Sequence, residues 1–259
     1  MGGSPPETDP PAYTVRESGR AKRARINVSP AGRVEVVVPA GFPKRQVPEL
    51  VAANRQWLER ALERVRRRQA EHPELHQGLP ERIHLPALDR EWAVVYPGSG
   101  KAGARESADG QLRVHAPDRR GARDALCNWL ARTAHAHLVP WAGSVAEELG
   151  LTTRGVRVRA QARRWGSCSE RGNLNLNRNL LFLAPEVVHY LLVHELAHTV
   201  HMDHSPDFWA LVARLEPDYR ALDRQLRRAA GQVPVWALAD RLLPSDFFDE
   251  PGTHPLAGV

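Results

Sequence analysis

The sequence predicts an α+β fold, in which a helical region with a small antiparallel sheet follows a small β-rich N-terminal region. Before residue 119, most apolar residues fall in short alternating segments that are typical of strands. After residue 119, apolar residues recur at spacings of three and four in several long segments, which indicates helices. Clean alternation at residues 156–162 and again at 174–177 predicts the small sheet inside that helical region.

These patterns divide the chain into four parts. Residues 1–12 and 244–259 are rich in proline, glycine and acidic residues, and we expect disordered tails there. Between the tails, residues 13–118 form the β-rich region with one helix, and residues 119–243 form the helical domain.

The β-rich region begins with a predicted hairpin. Residues 24–28 and 33–38 have the pattern of strands, and the Ser-Pro-Ala-Gly sequence at 29–32 is typical of a turn. Residues 47–71 then show the periodicity of one amphipathic helix. Short strands are predicted after it at 82–85, 91–96 and 111–115.

The helical domain begins with a long periodic segment at residues 122–150. Pro140 should kink this segment or break it into two helices. The strands at 156–162 and 174–177 are separated by a predicted loop at 163–169. Further helices are predicted from Pro185, at 208–215 and at 218–229.

The helix that opens near Pro185 contains the sequence His194-Glu195-Leu196-Ala197-His198. Positions i and i+4 share one helix face, so two histidines there can bind one Zn²⁺ at about 2.0–2.1 Å each. Glu195 lies about 100° around the helix, where it can act on a water bound to the metal. Zinc lowers the pKa of such a water to about 7, so the segment has the residues that metal-assisted hydrolysis requires.

A catalytic zinc ion takes a third protein ligand, and two more histidines follow. In a continuous helix, His201 would lie roughly 10 Å along the axis from His194, too far for both rings to reach one ion. His204 can reach it if the helix ends near His201 and the chain folds back. Ser205 as an N-cap and Pro206 at the first position of a new helix predict such a turn.

The spacing of these histidines equals that of a longer zinc motif, in which glycine stands at the position of His201. Glycine permits a positive φ there, and histidine tolerates that region better than most residues, although at an energetic cost. No methionine follows Met202, so the methionine turn of the metzincins is missing. We therefore do not assign the chain to that class.

The overall charge gives a weaker indication of function. The chain of 259 residues has a formal net charge of +6 and a pI of about 9.9, which points to anionic partners. All but three of its 36 basic residues are arginine and they occur along the whole chain, which favours a general arginine bias. We interpret the arginines of the helix at 47–71 as a solvated face, with an anion site as the alternative. They are Arg60, Arg64, Arg66, Arg67 and Arg68.

The two cysteines, Cys127 and Cys168, indicate neither a disulfide framework nor a cysteine-type zinc site. The first residues lack the pattern of a secretory signal, and no apolar stretch is long enough to span a membrane. We therefore expect a cytoplasmic protein that does not bind membranes. The sequence does not predict the oligomeric state.

Several motifs together resemble a known family. The similarity is to the YgjP-like metal-dependent hydrolases, relatives of the WLM and SprT-type zinc metallopeptidases. It is closest over residues 155–230 and extends more loosely into the N-terminal region, including Trp57. The motifs are Arg164-Trp165-Gly166-Ser167-Cys168, Leu174-Asn175-Leu176-Asn177, Pro185, His194 to His198, His204-Ser205, Phe208-Trp209 and Pro217-Asp218-Tyr219.

The resemblance implies a zincin-like catalytic domain that holds one zinc ion per chain. It implies His194, His198 and His204 as the zinc ligands and Glu195 as the catalytic acid and base. The predicted function is therefore a zinc metallopeptidase that acts on a protein or peptide substrate. Arg164, Tyr190 and Tyr219 are the candidate stabilisers of the transition state, because arginine and tyrosine can donate hydrogen bonds to developing negative charge.

Two alternative functions remain open. Seven arginines lie between Arg154 and Arg178, and arginine pairs well with phosphate, so a zinc-dependent pyrophosphohydrolase of nucleoside triphosphates is the first alternative. No glycine-rich phosphate loop accompanies them. The second alternative is a protease associated with nucleic acid through weak electrostatic binding, although no known nucleic-acid-binding motif is present.

Overall fold

The computed structural model describes residues 11–238, apart from residues 30, 72, 74–77, 99 and 163. Residues 1–10 and 239–259 lie outside the described residues, and with them almost all of the two predicted tails. The chain divides after Pro73 into two compact units.

The first unit is built around a three-stranded sheet. The predicted hairpin is confirmed: Val28 pairs with Val34 across antiparallel strands. A third strand, which was not predicted, pairs in parallel with the other edge of the central strand. The strand order is therefore β1-β3-β2. The strands are β1 (Tyr13–Ser18), β2 (Arg25–Val28) and β3 (Val34–Pro39).

The helix predicted at residues 47–71 is interrupted at Asn54, which separates α1 (Val47–Ala53) from α2 (Arg55–Glu71). Asn54 has φ −107°, and its side-chain amide donates a hydrogen bond of 2.8 Å to the Leu50 carbonyl. Asparagine competes for backbone groups in this way, which explains why the helix breaks there. The apolar faces of the helices and of the central strand form the core of the unit. Its buried residues are Val34, Val36, Val38, Val47, Val51 and Leu58.

The second unit begins with a four-stranded sheet of order β4-β5-β7-β6. Its strands are β4 (Arg82–Leu85), β5 (Arg90–Gly98), β6 (Gly103–Glu106) and β7 (Leu112–His115). Strands β6 and β7 pack against α3 (Arg119–Glu148), and the rings of Trp92 and Trp129 meet edge to face at 5.1 Å. The compact unit therefore includes these strands, whereas the predicted domain boundary follows residue 118. The difference arises because the apolar faces of the strands are covered by α3.

Helix α3 starts after Asp118, whose side chain accepts a hydrogen bond of 2.7 Å from the Gly121 amide. It continues through Pro140, where a kink or break was expected. Leu138 and Ala142 on either side of the proline are fully buried, so tertiary packing outweighs the loss of one hydrogen bond.

A second three-stranded sheet, of order β8-β10-β9, precedes the histidine motif. Its strands are β8 (Gly155–Arg159), β9 (Gly166–Cys168) and β10 (Asn173–Asn177). The loop predicted at 163–169 therefore contains a strand, which pairs antiparallel with β10 as the edge of the sheet. Strands β8 and β10 are parallel, because β9 lies between them in the chain. The sheet is therefore mixed, whereas a wholly antiparallel sheet was predicted.

The last three helices are α4 (Pro185–Ala197), α5 (Pro206–Leu215) and α6 (Tyr219–Arg228), close to their predicted positions. Helix α4 is central: it packs against α3, α5, α6 and β9. Of the helices that the structure describes, none combines the length and the apolar character needed to cross a lipid bilayer.

Candidate metal centre

Helix α4 carries His194 and Glu195 in its last turn and ends at Ala197, so that His198 is its C-cap residue. His194 and His198 extend from the same side of the helix end, and their ring centroids are 5.0 Å apart. Glu195 points to another side, toward β9, as expected from its position about 100° around the helix.

The predicted turn after the helix is present. The amides of Thr199, Val200 and His201 donate to the carbonyls of Leu196 and Ala197, which closes the last turn. A new helix then begins with Ser205 as its N-cap, because the Ser205 hydroxyl accepts a hydrogen bond of 3.4 Å from the Phe208 amide. His204 stands immediately before this cap and faces back toward α4.

His201 does not use the positive-φ region that glycine permits at this position of the longer motif. Among the described residues other than glycine, Asp89 alone has a positive φ, of 48°. His201 therefore has no positive φ, so histidine can stand at this position without the backbone strain of the left-handed region.

The three predicted histidine ligands converge. One ring nitrogen from each of His194, His198 and His204 lies within 4.8 Å of the other two. The Nε2 atoms of His194 and His204 are 3.2 Å apart. Imidazole nitrogens that face a common point at this separation fit a single divalent cation, which each would reach at about 2.0–2.1 Å.

His201 is not part of the group, but its backbone orients a member of it. The Nδ1 atom of His198 lies 3.0 Å from the His201 carbonyl oxygen and must donate to it, because a carbonyl only accepts. The lone pair of His198 is then on Nε2, on the side of the other two rings. A hydrogen bond from the distal nitrogen to a carbonyl is the usual device that sets the tautomer of a metal-binding histidine.

Aromatic side chains from α5 hold the imidazole rings in place. Phe208 is fully buried and stacks on His198 at 4.5 Å, with an interplanar angle of 24°. Trp209 stacks on His204 at 5.7 Å, and Tyr219 stacks on Trp209 at 5.6 Å. The rings therefore have few orientations available, which favours a preformed site.

The environment keeps His194 neutral. Burial lowers its pKa to about 4, and the neighbouring His198 and His204 act in the same direction. Its Nδ1 atom is buried with no hydrogen-bond partner among the described residues. Metal ligation requires the neutral ring, so the low pKa suits a metal site.

Glu195 is only 5% exposed, and burial raises its pKa to about 7. The positive charge of Arg164 and a hydrogen bond from the Cys168 amide act in the opposite direction. The backbone of Gly166 lies against the carboxylate on the β9 side. A carboxyl group whose pKa is near neutrality can both accept and donate a proton at physiological pH.

A cleft of about 370 Å³ opens beside the histidines and Glu195. Its lining residues come from β9 and the segment before it, from α4, and from α5 and α6. They include Arg164, Trp165, Tyr190, Leu191, Trp209, Asp223 and Arg227.

The three candidate stabilisers differ in position. Arg164 and Tyr190 line the cleft, whereas Tyr219 is not among its lining residues. The Tyr190 hydroxyl donates a hydrogen bond of 3.3 Å to Asp223, whose other oxygen accepts one of 2.6 Å from Arg227. Burial and then the charge of Asp223 raise the pKa of Tyr190, so it is a neutral phenol.

Asp223 and Arg227 were not predicted as cleft residues, because no local sequence pattern shows that α6 packs beside α4. Of the arginines between 154 and 178 that the structure describes, Arg164 alone lines the cleft. Arg178 is buried elsewhere, where it donates to the carbonyls of Cys127 and Ala237.

Comparison with known proteins identifies one family. The family model described as YgjP-like, metallopeptidase domain, matches residues 22–229. None of the curated proteins matches the chain.

Two solved structures of archaeal metallopeptidase zymogens are similar to part of the chain. Abylysin of Pyrococcus abyssi is 29% identical, with a TM-score of 0.30 over 34% of this chain and 88% of that one. Jannalysin of Methanocaldococcus jannaschii is 16% identical, with a TM-score of 0.31 over 34% of this chain and 90% of that one.

Proposed function

Because this chain belongs to the YgjP-like metallopeptidase family, we propose that it hydrolyses peptide bonds with one zinc ion held by His194, His198 and His204. Membership of the family makes the chain a metal-dependent hydrolase. The observation that carries the proposal is the convergence of three imidazole nitrogens beside the buried carboxyl group of Glu195. These three residues would hold the ion, and three protein ligands are the number that catalytic zinc sites use.

When bound, zinc supplies a Lewis acid that polarises an oxygen and makes water acidic. Glu195 moves the proton. Its carboxylate takes a proton from the attacking water and gives it to the nitrogen of the leaving amine, so the residue ends the cycle as it began. A pKa of about 7 in the metal-free site suits both steps.

Arg164 is the best placed of the candidate stabilisers of the transition state. It lines the cleft beside Glu195, and its guanidinium can donate to the oxygen on which negative charge develops. Tyr190 is less suited, because its proton is directed to Asp223. Tyr219 supports Trp209 by stacking and lies outside the cleft lining.

Strand β9 offers a way to bind the substrate backbone. It is the edge of its sheet, and Gly166 lines the cleft directly beside Glu195. An extended peptide that pairs with this edge would lie across the cleft with its carbonyl groups near the histidines. This binding mode suits peptides and gives no corresponding contacts to a nucleotide.

The test is cleavage of a denatured protein substrate by the zinc-loaded chain in water enriched in ¹⁸O, followed by mass spectrometry. Hydrolysis of one bond predicts one ¹⁸O at the new carboxyl terminus of the N-terminal fragment and none in the C-terminal fragment. Glu195→Gln should lower the rate by at least about a hundredfold while the zinc content stays the same. Glu186→Gln, which changes an exposed residue of the same helix, is the matched control and should leave the rate unchanged.

The same preparation should be incubated with nucleoside triphosphates. Release of pyrophosphate that depends on Glu195, with no peptide cleavage, would overturn the proposal in favour of the pyrophosphohydrolase. Peptide cleavage at equal rates in wild type and Glu195→Gln would remove the assigned role of the carboxylate.

A further inference from the structure

The positive charge of the chain is concentrated in the first unit. Residues 11–73 contain 14 arginines and lysines and six acidic residues, a formal net charge of +8. Residues 74–241 contain 22 arginines and lysines and 19 acidic residues, a formal net charge of +3 over more than twice the length. A general arginine bias would not produce this asymmetry, because it would act equally on both units.

One face of α2 presents this charge to solvent. Trp57, Arg60 and Arg64 are spaced by three and four residues, so they lie on the same side of the helix. The adjoining side of the helix, with Leu58 and Ala61, is buried. All three residues of the exposed face are open to solvent, and Trp57 remains 46% exposed.

The two arginines of this face differ from their neighbours. Arg55 pairs with Glu59 at 2.8 Å, and Arg66 pairs with Glu63 at 3.7 Å. Within the part of the chain that the structure describes, neither Arg60 nor Arg64 has a carboxylate within ion-pair distance. The face therefore has uncompensated cations and a large apolar ring side by side.

We propose that the Trp57–Arg60–Arg64 face of α2 binds single-stranded nucleic acid. Guanidinium groups donate two parallel hydrogen bonds to a phosphate, and an exposed indole offers a surface on which an unpaired base can stack. An acidic polypeptide would use the arginines but would leave Trp57 without a role. Duplex DNA would likewise leave the indole unused, because its bases are already stacked.

The proposal is tested by fluorescence anisotropy of labelled 20-nucleotide oligo(dT) and oligo(rU) with the full chain, over a range of salt concentrations. We expect binding that weakens as salt rises. Arg60→Gln/Arg64→Gln should weaken it by about tenfold and flatten the salt dependence by about 1.4 in the slope of log K against log salt. Trp57→Ala should weaken it by about tenfold with the slope unchanged, and Trp57→Phe should restore most of the loss.

Arg55→Gln/Arg66→Gln is the matched control. It removes the same charge from the same helix but at ion-paired positions on another side, and it should weaken binding by less than twofold. Equal losses in the two double variants would mean that net charge alone attracts the oligonucleotide, and would overturn the proposal.

Two further outcomes would also overturn it. One is the absence of an anisotropy change at low salt. The other is full competition by poly-glutamate combined with no effect of Trp57→Ala, which would identify an acidic polypeptide as the partner. None of these measurements depends on peptidase activity, so failure here and failure of the proposed function are distinguishable.

Discussion

Gly166 and Glu195 are packed so closely that a Cβ atom at position 166 would lie 2.6 Å from the Glu195 Oε1 atom. Real Cβ contacts are essentially never this short, so even an alanine would displace the carboxylate. Glu195 is buried and has little room to move aside. The absence of a side chain at Gly166 therefore defines the position of the proposed general base, Glu195.

Gly166→Ala should lower kcat by about tenfold or more with the zinc content unchanged, because a displaced carboxylate no longer reaches the attacking water. Steady-state kinetics and metal analysis of the same preparation check this. Gly143→Ala in α3 is the control: a Cβ there meets nothing within 4 Å, so activity should be retained. Full turnover by Gly166→Ala would show that the exact position of Glu195 is not critical.

His204→Ala should reduce bound zinc from about one ion per chain to a small fraction, because two imidazoles are a poor zinc site. His201→Ala should keep the metal, since the orienting group at that position is the backbone carbonyl. Elemental analysis of identically prepared proteins gives the answer. Zinc loss in His201→Ala but not in His204→Ala would assign the third ligand to His201.

Arg164→Gln should lower kcat by about tenfold to a hundredfold and leave zinc in place. The charge of Arg164 lowers the pKa of Glu195, so its removal should also move the acid limb of the rate profile to higher pH. The measurement is kcat against pH for the variant, the wild type and Arg157→Gln, whose arginine is exposed on β8. Unchanged turnover in Arg164→Gln would show that Arg164 does not stabilise the transition state.

Glu195→Gln should make the stability of the metal-free protein depend differently on pH. Burial raises the pKa of Glu195 from 4.5 to about 7, so between these values the folded state holds a proton that the unfolded state has released. The carboxyl group therefore contributes less stability as the pH rises from 4.5 to 7, and its contribution is constant above that. Across this window, the free energy of unfolding of the variant should increase by on the order of 2–3 kcal/mol relative to that of wild type.

Urea unfolding between pH 4.5 and 8, with a chelator present, measures this difference. The pKa of His194 is lowered to about 4, so its contribution to the free energy of unfolding falls as the pH falls from 6.5 toward 4. The same loss occurs in both proteins and cancels in the difference between them. A stability difference that does not change with pH would contradict the pKa assigned to Glu195.

Arg178→Met should destabilise the second unit by about 2–4 kcal/mol, because it removes buried hydrogen bonds from the guanidinium to two carbonyl groups. The guanidinium donates to the carbonyls of Cys127 and Ala237 at 3.0 and 3.3 Å, and so connects α3 to a later segment of the chain. The midpoint of urea unfolding measures the effect. Arg171→Met, at an exposed position, should change the free energy of unfolding by less than about 0.5 kcal/mol.

The histidine site was largely predictable because its geometry is local. The spacing of His194 and His198 on a helix, and the Ser205-Pro206 signal for a new helix, determine where the chain turns back. The hairpin of β2 and β3 was predictable for the same reason, from alternation on either side of a turn sequence.

Features that depend on tertiary contacts were not predictable. Strand β9 has the sequence Gly-Ser-Cys, which has little strand propensity of its own, and it forms because β10 and α4 lie beside it. The pairing of Tyr190 with Asp223 joins residues 33 positions apart on different helices. Local sequence patterns contain no signal for either.

His194 and His204 are ten positions apart, so a metal ion shared by them closes only a short loop between the end of α4 and the start of α5. Closing a short loop removes little entropy from an unfolded chain, and the core of α3 and α4 consists of apolar side chains rather than of the histidine ligands. We therefore expect the ion to be exchangeable: it can leave and return while the domain stays folded. The fraction of active molecules would then follow the supply of free zinc in the surroundings.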